Sequence, residues 1–456
     1  MSFLRNRAPL LACLLVCAPA CADIESDPGV TEPVLGEPEI LVPFASPPDG
    51  VVTQRSNNNL DIVVHEGRYF FAFRTAPSHF AGDKTVMYVV SSDDQQTWQF
   101  ETKVELGTDV REPRFLSYKG ELFLYFAKLG KDPLKFEPQG TYILHYKGPG
   151  DWSSPEEWTD QPGFIPWRLK VIDDTAYMIG YIGGENIYEI NGEPIYIQWL
   201  KSEDGLTWEP VVPGQPTVEQ GGGSETDWAF LPDGGVIAVT RNEAGDETGW
   251  GSKICRAKPE SLGEWHCAPD KRKYDSPLVI RHGADIYLVA RRNVTETGNY
   301  DLERRDLSPK DQTQLYLFEY SFAPKRCSLW KVDPDALSVS FLLDLPSFGD
   351  TCFPSALQVG PDEYDIYNYT SPLDGDDVDW IIGQGIDSLH PPPGPVTAPD
   401  WQSQTASLPL LAVCGFTHHA LRRTVPILET RFRWRGPPPR GKAKSVAHQA
   451  WIQGVL

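Results

Sequence analysis

The chain has 456 residues, with 63 acidic and 41 basic side chains, a formal net charge of −22 and 11% aromatic residues. This acidity excludes non-specific nucleic-acid binding, which requires a basic surface. The 39 glycines and 41 prolines favour short strands joined by turns over a helical protein, so we expect an all-β fold.

The first 22 residues have the pattern of a signal peptide. Arg5 and Arg7 precede a short apolar run that ends in small residues, and this run is too short to remain as a membrane span. The four residues that end at Cys21, APAC, resemble the lipobox of bacterial lipoproteins, which implies lipidation of Cys21. Plain cleavage in this region is the alternative. We therefore expect an exported protein, either anchored to the outer membrane only through an N-terminal lipid or free in the periplasm or medium.

Residues 23–44 are acidic and proline-rich, and we expect a linker there. Residues 45–385 carry a repeat in which a short turn separates two strands rich in aromatic and β-branched residues. The turns occur six times, at residues 65–67, 118–120, 172–174, 232–234, 281–283 and 360–362. A tryptophan follows the third strand in five units, at positions 98, 152, 208, 265 and 330.

The turns and tryptophans repeat about every 55 residues. Such a repeat is typical of small sheets that cannot bury their apolar faces individually and therefore stack on one another around an axis. The repeat predicts a six-bladed β-propeller. Residues 386–456 lack the repeat and, from Pro391 onward, contain eight Lys/Arg and two acidic residues. We expect a disordered basic tail there, with the last blade imperfect or closed by an N-terminal strand.

Five cysteines follow the signal peptide. Cys255 and Cys267 flank a predicted hairpin, and an oxidising compartment permits a disulfide between them. Cys327 and Cys352 form a weaker second candidate pair. No Cys/His spacing is typical of a metal site, and no nucleotide or cofactor motif occurs, so we expect neither a metal nor a cofactor.

Two turns between third and fourth strands, SSDDQQTW at 91–98 and SEDGLTW at 202–208, resemble the Asp box S-x-D-x-G-x-T-W of sialidases and their relatives. In the first, Gln95 replaces the glycine of the motif, and the second is one residue shorter. The resemblance implies a sialidase-like propeller in which the Asp side chain accepts backbone N–H bonds and the Trp packs between blades.

Ligands of propellers bind at the concave mouth formed by the second-to-third loops and the connections between blades. Several acidic residues are predicted there as candidate catalytic groups: Glu112, Glu225, Asp227 and Asp83. The candidate ligand-binding residues are Arg74, Arg111, Arg114, Arg241, Tyr274 and Tyr369. Two carboxyl groups can cleave a glycosidic bond, and arginines can hold the carboxylate of an acidic sugar. The alternative is that these charges pair with one another and hold the loops.

The resemblance to sialidases reaches functional positions in residues 224–241, where it implies that Glu225 polarises the nucleophile and that Arg241 binds a substrate carboxylate. The F/Y-R-I-P motif of that family is absent at residues 57–61, and Phe353 stands where the family has its Tyr nucleophile. Residues 111–114, REPR, are similar to the R-D-P segment of five-bladed glycosidases, with Glu112 in the place of Asp.

The sequence therefore indicates a monomeric glycoside hydrolase outside the cytoplasm, of the sialidase-like superfamily, acting on glycans that include acidic sugars. The alternative is a non-catalytic surface propeller that binds carbohydrate or protein. Absence of the F/Y-R-I-P motif and of the Tyr nucleophile favours the non-catalytic propeller. The glycoside hydrolase is favoured by a group of charged residues: Glu112, Glu225, Asp227 and Arg241.

Overall fold

The computed structural model describes residues 32–158, 160–188, 193–385 and 424–435. The predicted signal peptide, with Cys21, lies outside the described residues. The described chain folds into six antiparallel sheets arranged as the blades of a six-bladed β-propeller, as predicted. One compact unit spans Val34–Arg433 and contains the residues of the site described below.

The strands are, in chain order, β1 (Glu32–Leu35), β2 (Glu39–Val42), β3 (Ser56–His65), β4 (Arg68–Ala76), β5 (Val86–Ser92), β6 (Gln99–Val104), β7 (Val110–Tyr118), β8 (Glu121–Leu129), β9 (Pro138–Gly148), β10 (Asp151–Trp152), β11 (Glu156–Trp158), β12 (Ile165–Ile172), β13 (Thr175–Ile182), β14 (Ile195–Ser202), β15 (Glu209–Pro210), β16 (Thr217–Gly221), β17 (Gly223–Phe230), β18 (Val236–Asn242), β19 (Lys253–Ala257), β20 (His266–Pro269), β21 (Leu278–His282), β22 (Asp285–Asn293), β23 (Lys325–Asp333), β24 (Ser338–Asp344), β25 (Ser355–Gly360), β26 (Glu363–Tyr369) and β27 (Ile427–Arg435). Two α-helices are present in the described residues, α1 (Pro309–Ser321) and α2 (Trp380–Gly383).

Blades one to five are consecutive in the chain: β3–β6, β7–β10 with β11, β12–β15 with β16, β17–β20 and β21–β24. The first strand of each set starts its sheet and the later strands follow in sequence order, which is the hairpin pattern that the repeat predicts. Blade six differs, because its order is β25, β26, β27 and β1, with β2 also paired to β27. The N-terminal segment therefore closes the ring.

Blade six corrects two predicted boundaries. The segment from 386 to 456 is predicted as a tail, yet β27 pairs with β26 along its length, from Glu363 opposite Arg433 to Tyr369 opposite Ile427. The predicted linker 23–44 contains β2, which pairs with the other edge of β27. Both strands satisfy backbone groups that an open blade would leave exposed at a sheet edge.

The core lies between neighbouring blades, which explains why the sheets form a ring. One cluster joins blades three and four, where the buried Trp199 and Trp228 rings lie 5.7 Å apart. Another joins blades four and five through residues such as Val239 and Leu288. The buried aromatic and aliphatic residues of these clusters thus leave water by contact with the neighbouring sheet.

The two Asp-containing turns have the same length in three dimensions. Asp94 accepts backbone N–H bonds from residues 96 and 97 at 2.9 and 2.7 Å. Asp204 accepts the equivalent bonds from residues 206 and 207 at 2.8 and 2.7 Å. Gln95 and Gly205 occupy the same left-handed position, with φ of 60° and 77°. The correct alignment therefore starts at Ser92, one residue later than the sequence pattern indicates.

The predicted disulfide between Cys255 and Cys267 is present, with an S–S distance of 2.05 Å, and it joins the paired strands β19 and β20. Cys327 and Cys352 form a second disulfide between blades five and six. Among the described residues, no helix has the length and apolar character needed to span a membrane. The same residues contain no group of three or more His, Cys, Asp or Glu side chains placed to hold a metal ion.

Candidate active site

A cavity of about 640 Å³ lies at the axial mouth, and all six blades contribute to its lining. Blade five also contributes a helix to the cavity wall. Helix α1 is inserted between β22 and β23, and its residues Thr313, Gln314 and Leu317 line the cavity. Ser308 begins this helix as an N-cap that accepts a hydrogen bond from the Asp311 backbone N–H. The volume is that of a small-molecule site, and its walls are both polar and aromatic.

The innermost strands are irregular where they enter the cavity. The register of β3 shifts around Asn59, that of β7 shifts around Glu112, and both residues have positive φ, 41° and 54°. Ser276 and Cys352 have positive φ, 53° and 83°, just before β21 and β25. Such conformations are strained for residues other than glycine and concentrate at functional sites. Here they turn the chain at the mouth of the ring.

Glu112 is a carboxyl group of the cavity whose pKa is strongly raised. Its side chain is buried, and Asn59 Nδ2 donates to its Oε2 at 3.3 Å. Burial raises the pKa of Glu112 to about 7, because Arg114 only partly offsets the loss of water and the charge of Glu225 adds to it. A carboxyl group with this pKa is partly protonated at neutral pH and can both donate and accept a proton.

Glu225 and Arg241 meet across the first two strands of blade four. Arg241 Nη1 donates to Glu225 Oε1 at 2.7 Å, and the backbone N–H of Ser276 donates to Glu225 Oε2, also at 2.7 Å. The other guanidinium nitrogen, Nη2, lies 3.0 Å from Glu243. Lys273 binds Glu243 from the opposite side, with Nζ 2.6 Å from Oε1. Alternating charges therefore cross one side of the cavity.

Blades five and six supply a second polar network. Arg291 lies 3.0 Å from Asp275 Oδ2 and donates to the Tyr369 hydroxyl at 3.2 Å. That hydroxyl donates to Asp350 at 3.0 Å, and Asp350 also binds His79 Nδ1 at 2.6 Å. Burial alone would raise the pKa of Asp275, but Lys273, Arg291 and Arg241 together lower it, so this carboxylate stays ionised.

The structure brings five of the ten predicted site residues into the cavity lining: Glu112, Glu225, Arg111, Arg241 and Tyr369. Arg111 binds Asp109 and the His79 carbonyl oxygen, so it links blades one and two. Phe353 also lines the cavity and has no hydroxyl group. The wall thus has a phenyl ring where the resemblance to sialidases places a Tyr nucleophile.

The other five predicted residues lie outside the lining of this cavity. Asp83 is exposed on the loop after β4. Asp227 is two residues beyond Glu225 on β17, but it is buried outside the cavity lining, and Lys170 Nζ lies 2.6 Å from its carboxylate. The Val279 backbone N–H also donates to it, at 2.6 Å. Its bonds join blades three, four and five.

Arg74, Arg114 and Tyr274 are structural in this fold. Arg74 is fully buried, pairs with Asp109 at 2.9 Å, and donates to two backbone carbonyl groups of its own loop. Arg114 lies beneath the cavity floor, with its guanidinium carbon 4.4 Å from the centre of the Phe353 ring. Tyr274 packs in the core of blade five, and its hydroxyl donates to Asp270 at 2.9 Å.

Several lining residues are absent from the prediction: Tyr181, Tyr188, Glu243 and Lys273. Two of them had a usable signal, because Glu243 is two residues after Arg241 and Lys273 two residues before Asp275. Residues two apart in an extended chain point to the same side. Of the two tyrosines, Tyr181 lies near the end of β13 and Tyr188 lies in the loop after that strand, and the sequence gives no comparable indication for either.

Fold and site together define a six-bladed propeller with a polar axial cavity. No protein-family model matches this sequence, and no curated protein matches it. Among solved structures, a protein of unknown function from Dyadobacter fermentans has a TM-score of 0.52 at 12% identity, over 89% of this chain and 100% of that one. The endosialidase of phage phi92 has a TM-score of 0.50 at 9% identity, over 86% and 70%.

The sialidase of Trypanosoma rangeli in complex with the inhibitor DANA has a TM-score of 0.48 at 13% identity. The match covers 71% of this chain and 54% of the trypanosomal one, so this chain spans about half the length of that enzyme. At these identities the comparisons show the fold alone. That fold is the six-bladed β-propeller.

Proposed function

We propose that this protein is an exported glycoside hydrolase with Glu112 as its proton donor. The observation that carries the proposal is the buried carboxyl group of Glu112, with a pKa of about 7, in a cavity that has the volume of a ligand site. Hydrolysis of a glycoside requires an acid that is still protonated near neutral pH. Residues 224–241 and the two Asp-box turns resemble sialidases, and this resemblance also supports a glycoside as the substrate.

In the proposed reaction, Glu112 donates its proton to the glycosidic oxygen as the bond from that oxygen to the anomeric carbon breaks. Positive charge then develops on the sugar ring. The carboxylates of Glu225 and Asp275, each held by an arginine, stabilise that charge because they are already oriented and desolvated. The cavity's arginine and lysine side chains bind sugar hydroxyl groups or, in an acidic sugar, the carboxylate.

Hydrolysis of a panel of aryl glycosides, including a sialic-acid derivative, tests the proposal. The variant Glu112→Gln should lose about 10²–10⁴ in kcat with a poor leaving group such as 4-methoxyphenol. It should lose far less with 2,4-dinitrophenol, which departs without a proton. Glu225→Gln should lower the rate with both leaving groups, whereas Asp83→Asn, a matched exposed carboxyl group, should leave both rates unchanged.

A carbohydrate-binding propeller without catalysis is the second candidate, and Phe353 favours it. A phenyl ring in the cavity wall offers stacking to a sugar but cannot form a covalent bond to it. No turnover of any glycoside, together with binding on a glycan array that Arg241→Ala abolishes, would establish the binder and remove the hydrolase.

Export and lipid anchoring are part of the proposal and rest on residues 1–22 alone. Fractionation of cells after labelling with a radioactive fatty acid tests them directly. Labelled protein should appear in the membrane fraction for the natural sequence, and Cys21→Ser should be unlabelled. Unlabelled natural protein in the soluble extracytoplasmic fraction would support plain cleavage instead.

A further inference from the structure

His79 is fixed in the cavity wall through three of its four polar atoms. Its backbone N–H donates to the Gln384 carbonyl oxygen at 3.2 Å, and its own carbonyl oxygen accepts from Arg111 Nη2. Its ring nitrogen Nδ1 lies 2.6 Å from Asp350 Oδ2. Among the described residues none bonds to the remaining polar atom, Nε2. A histidine on a long loop rarely has so many restraints, and here they come from blades two and six.

Asp350 sets the tautomer of this histidine. The carboxylate is fully buried, and it accepts bonds from the Tyr369 hydroxyl at 3.0 Å and from Trp380 Nε1 at 3.1 Å. Burial alone would raise the pKa of Asp350, but His79, Arg291 and Tyr369 together lower it. An ionised Asp350 requires the proton on Nδ1, which leaves the lone pair of His79 on Nε2.

The other charged and titratable groups around His79 are Arg111, Arg74 and Tyr369. Burial lowers the pKa of His79 below its usual 6.5, since the loss of water outweighs the attraction of Asp350 and the two arginines oppose a further positive charge. The imidazole is therefore neutral at pH 7. A neutral imidazole with one engaged nitrogen is the chemical form of a general base.

Three lining residues at positions considered for a nucleophile are poorly placed to attack the sugar. Phe353 has no nucleophilic atom. The Tyr369 hydroxyl is engaged with both Arg291 and Asp350, and burial raises its pKa well above the usual value. Both oxygens of Glu225 are bonded, one to Arg241 and one to a backbone N–H. A covalent glycosyl intermediate on Tyr369 or Glu225 would require that side chain to give up its hydrogen-bond partners.

We propose that His79 is a second catalytic residue of this cavity, the general base that activates water, and that hydrolysis proceeds by one displacement with inversion at the anomeric carbon. This inference rests on the proposed hydrolase function. His79 Nε2 removes a proton from water while the water oxygen bonds to the anomeric carbon. The bond to the leaving oxygen breaks, and that oxygen takes the proton of Glu112. Solvent then removes the proton from His79 and restores the one on Glu112.

The anomeric configuration of the first product, followed by proton NMR of the wild-type protein with an aryl glycoside, is the primary test. Inversion is expected, and retention would overturn the inference while leaving the hydrolase proposal intact. His79→Gln should lose about 10²–10⁴ in kcat, with activated and poor leaving groups affected alike. His266→Gln, a matched change of an exposed histidine on β20, should retain full activity.

Two further readouts separate a base from a structural residue. In His79→Ala, added azide should restore turnover and yield a glycosyl azide of inverted configuration, because a small anion needs no base. Asp350→Asn, which alters a positioning residue, should shift the low-pH limb of the kcat/KM profile. Full activity of His79→Gln, or azide that yields no glycosyl azide, would refute the role of His79. Absence of turnover by the wild type on every glycoside would instead refute the hydrolase, and this inference with it.

Discussion

Replacement of Glu112 by glutamine should stabilise the protein at pH 8 while it removes the proposed activity. The pKa of this carboxyl group is about 7 in the folded protein against 4.5 ordinarily. A shift of about 2.5 units corresponds to roughly 3 kcal/mol. Because the folded state holds the proton more tightly, wild-type stability falls as the pH rises from 4.5 to 7 and stays lower above that range. Glutamine keeps the acceptor for Asn59 but carries no charge.

Thermal unfolding at pH 4.5 and pH 8 measures this effect. For a domain of this size, about 3 kcal/mol corresponds to a rise in Tm of roughly 4 °C, expected at pH 8 and absent at pH 4.5. Asp83→Asn serves as the control, since it removes an exposed carboxyl group from the same end of the ring. If Glu112→Gln has the same Tm as the wild type at pH 8, or a lower one, the Glu112 carboxylate is not desolvated and the proton-donor argument fails.

Three other predictions test the structural assignments. Arg74→Ala should destabilise the protein by up to about 3–5 kcal/mol, because it removes one of the two arginines that pair with the buried Asp109. A variant with unchanged Tm and weaker glycan binding would return Arg74 to the ligand site. The double change Cys255→Ser and Cys267→Ser should lower the free energy of unfolding by about 3 kcal/mol, because the disulfide no longer closes a short loop in the unfolded chain. Urea unfolding measures this effect, and an unchanged midpoint would contradict it. The hydrogen bonds of Asp204 lower its pKa to about 2. The wild type should therefore be more stable than Asp204→Asn by a constant amount above pH 4, and this stability difference should disappear as the pH falls to about 2. A stability difference that persists at pH 2 would show that the ionised carboxylate does not cause it.

The local features of the fold could be predicted because they repeat. Each of the six units has its own turn, five of them also have a tryptophan at a similar spacing, and each hairpin joins strands that are adjacent in sequence, so the period alone indicates six blades. The proximity of Glu225 and Arg241 could be predicted for the same reason, since these residues lie on the two strands of one hairpin. The disulfide of Cys255 and Cys267 likewise joins neighbouring strands.

The closure of blade six could not be predicted in the same way. β27 follows β26 after more than fifty residues, and β2 comes from the opposite end of the chain. No local sequence pattern predicts a pairing between strands so far apart in the chain. These strands pair because the incomplete sheet of blade six exposes an edge with unpaired backbone groups. Helix α1 did carry a local signal, since Ser308, Pro309 and Asp311 form a helix start.

The sequence by itself determined the blade number, the hairpins and the residue types that reach the mouth of the ring. Only the tertiary structure decided which charges line the cavity, because their positions depend on bulges and on partners from other blades. Asp227 and Glu225 lie on the same strand, yet Lys170 neutralises the first in the core while the second lines the cavity. The pairing of His79 with Asp350 spans 271 residues, and only the closing of the ring brings the two together.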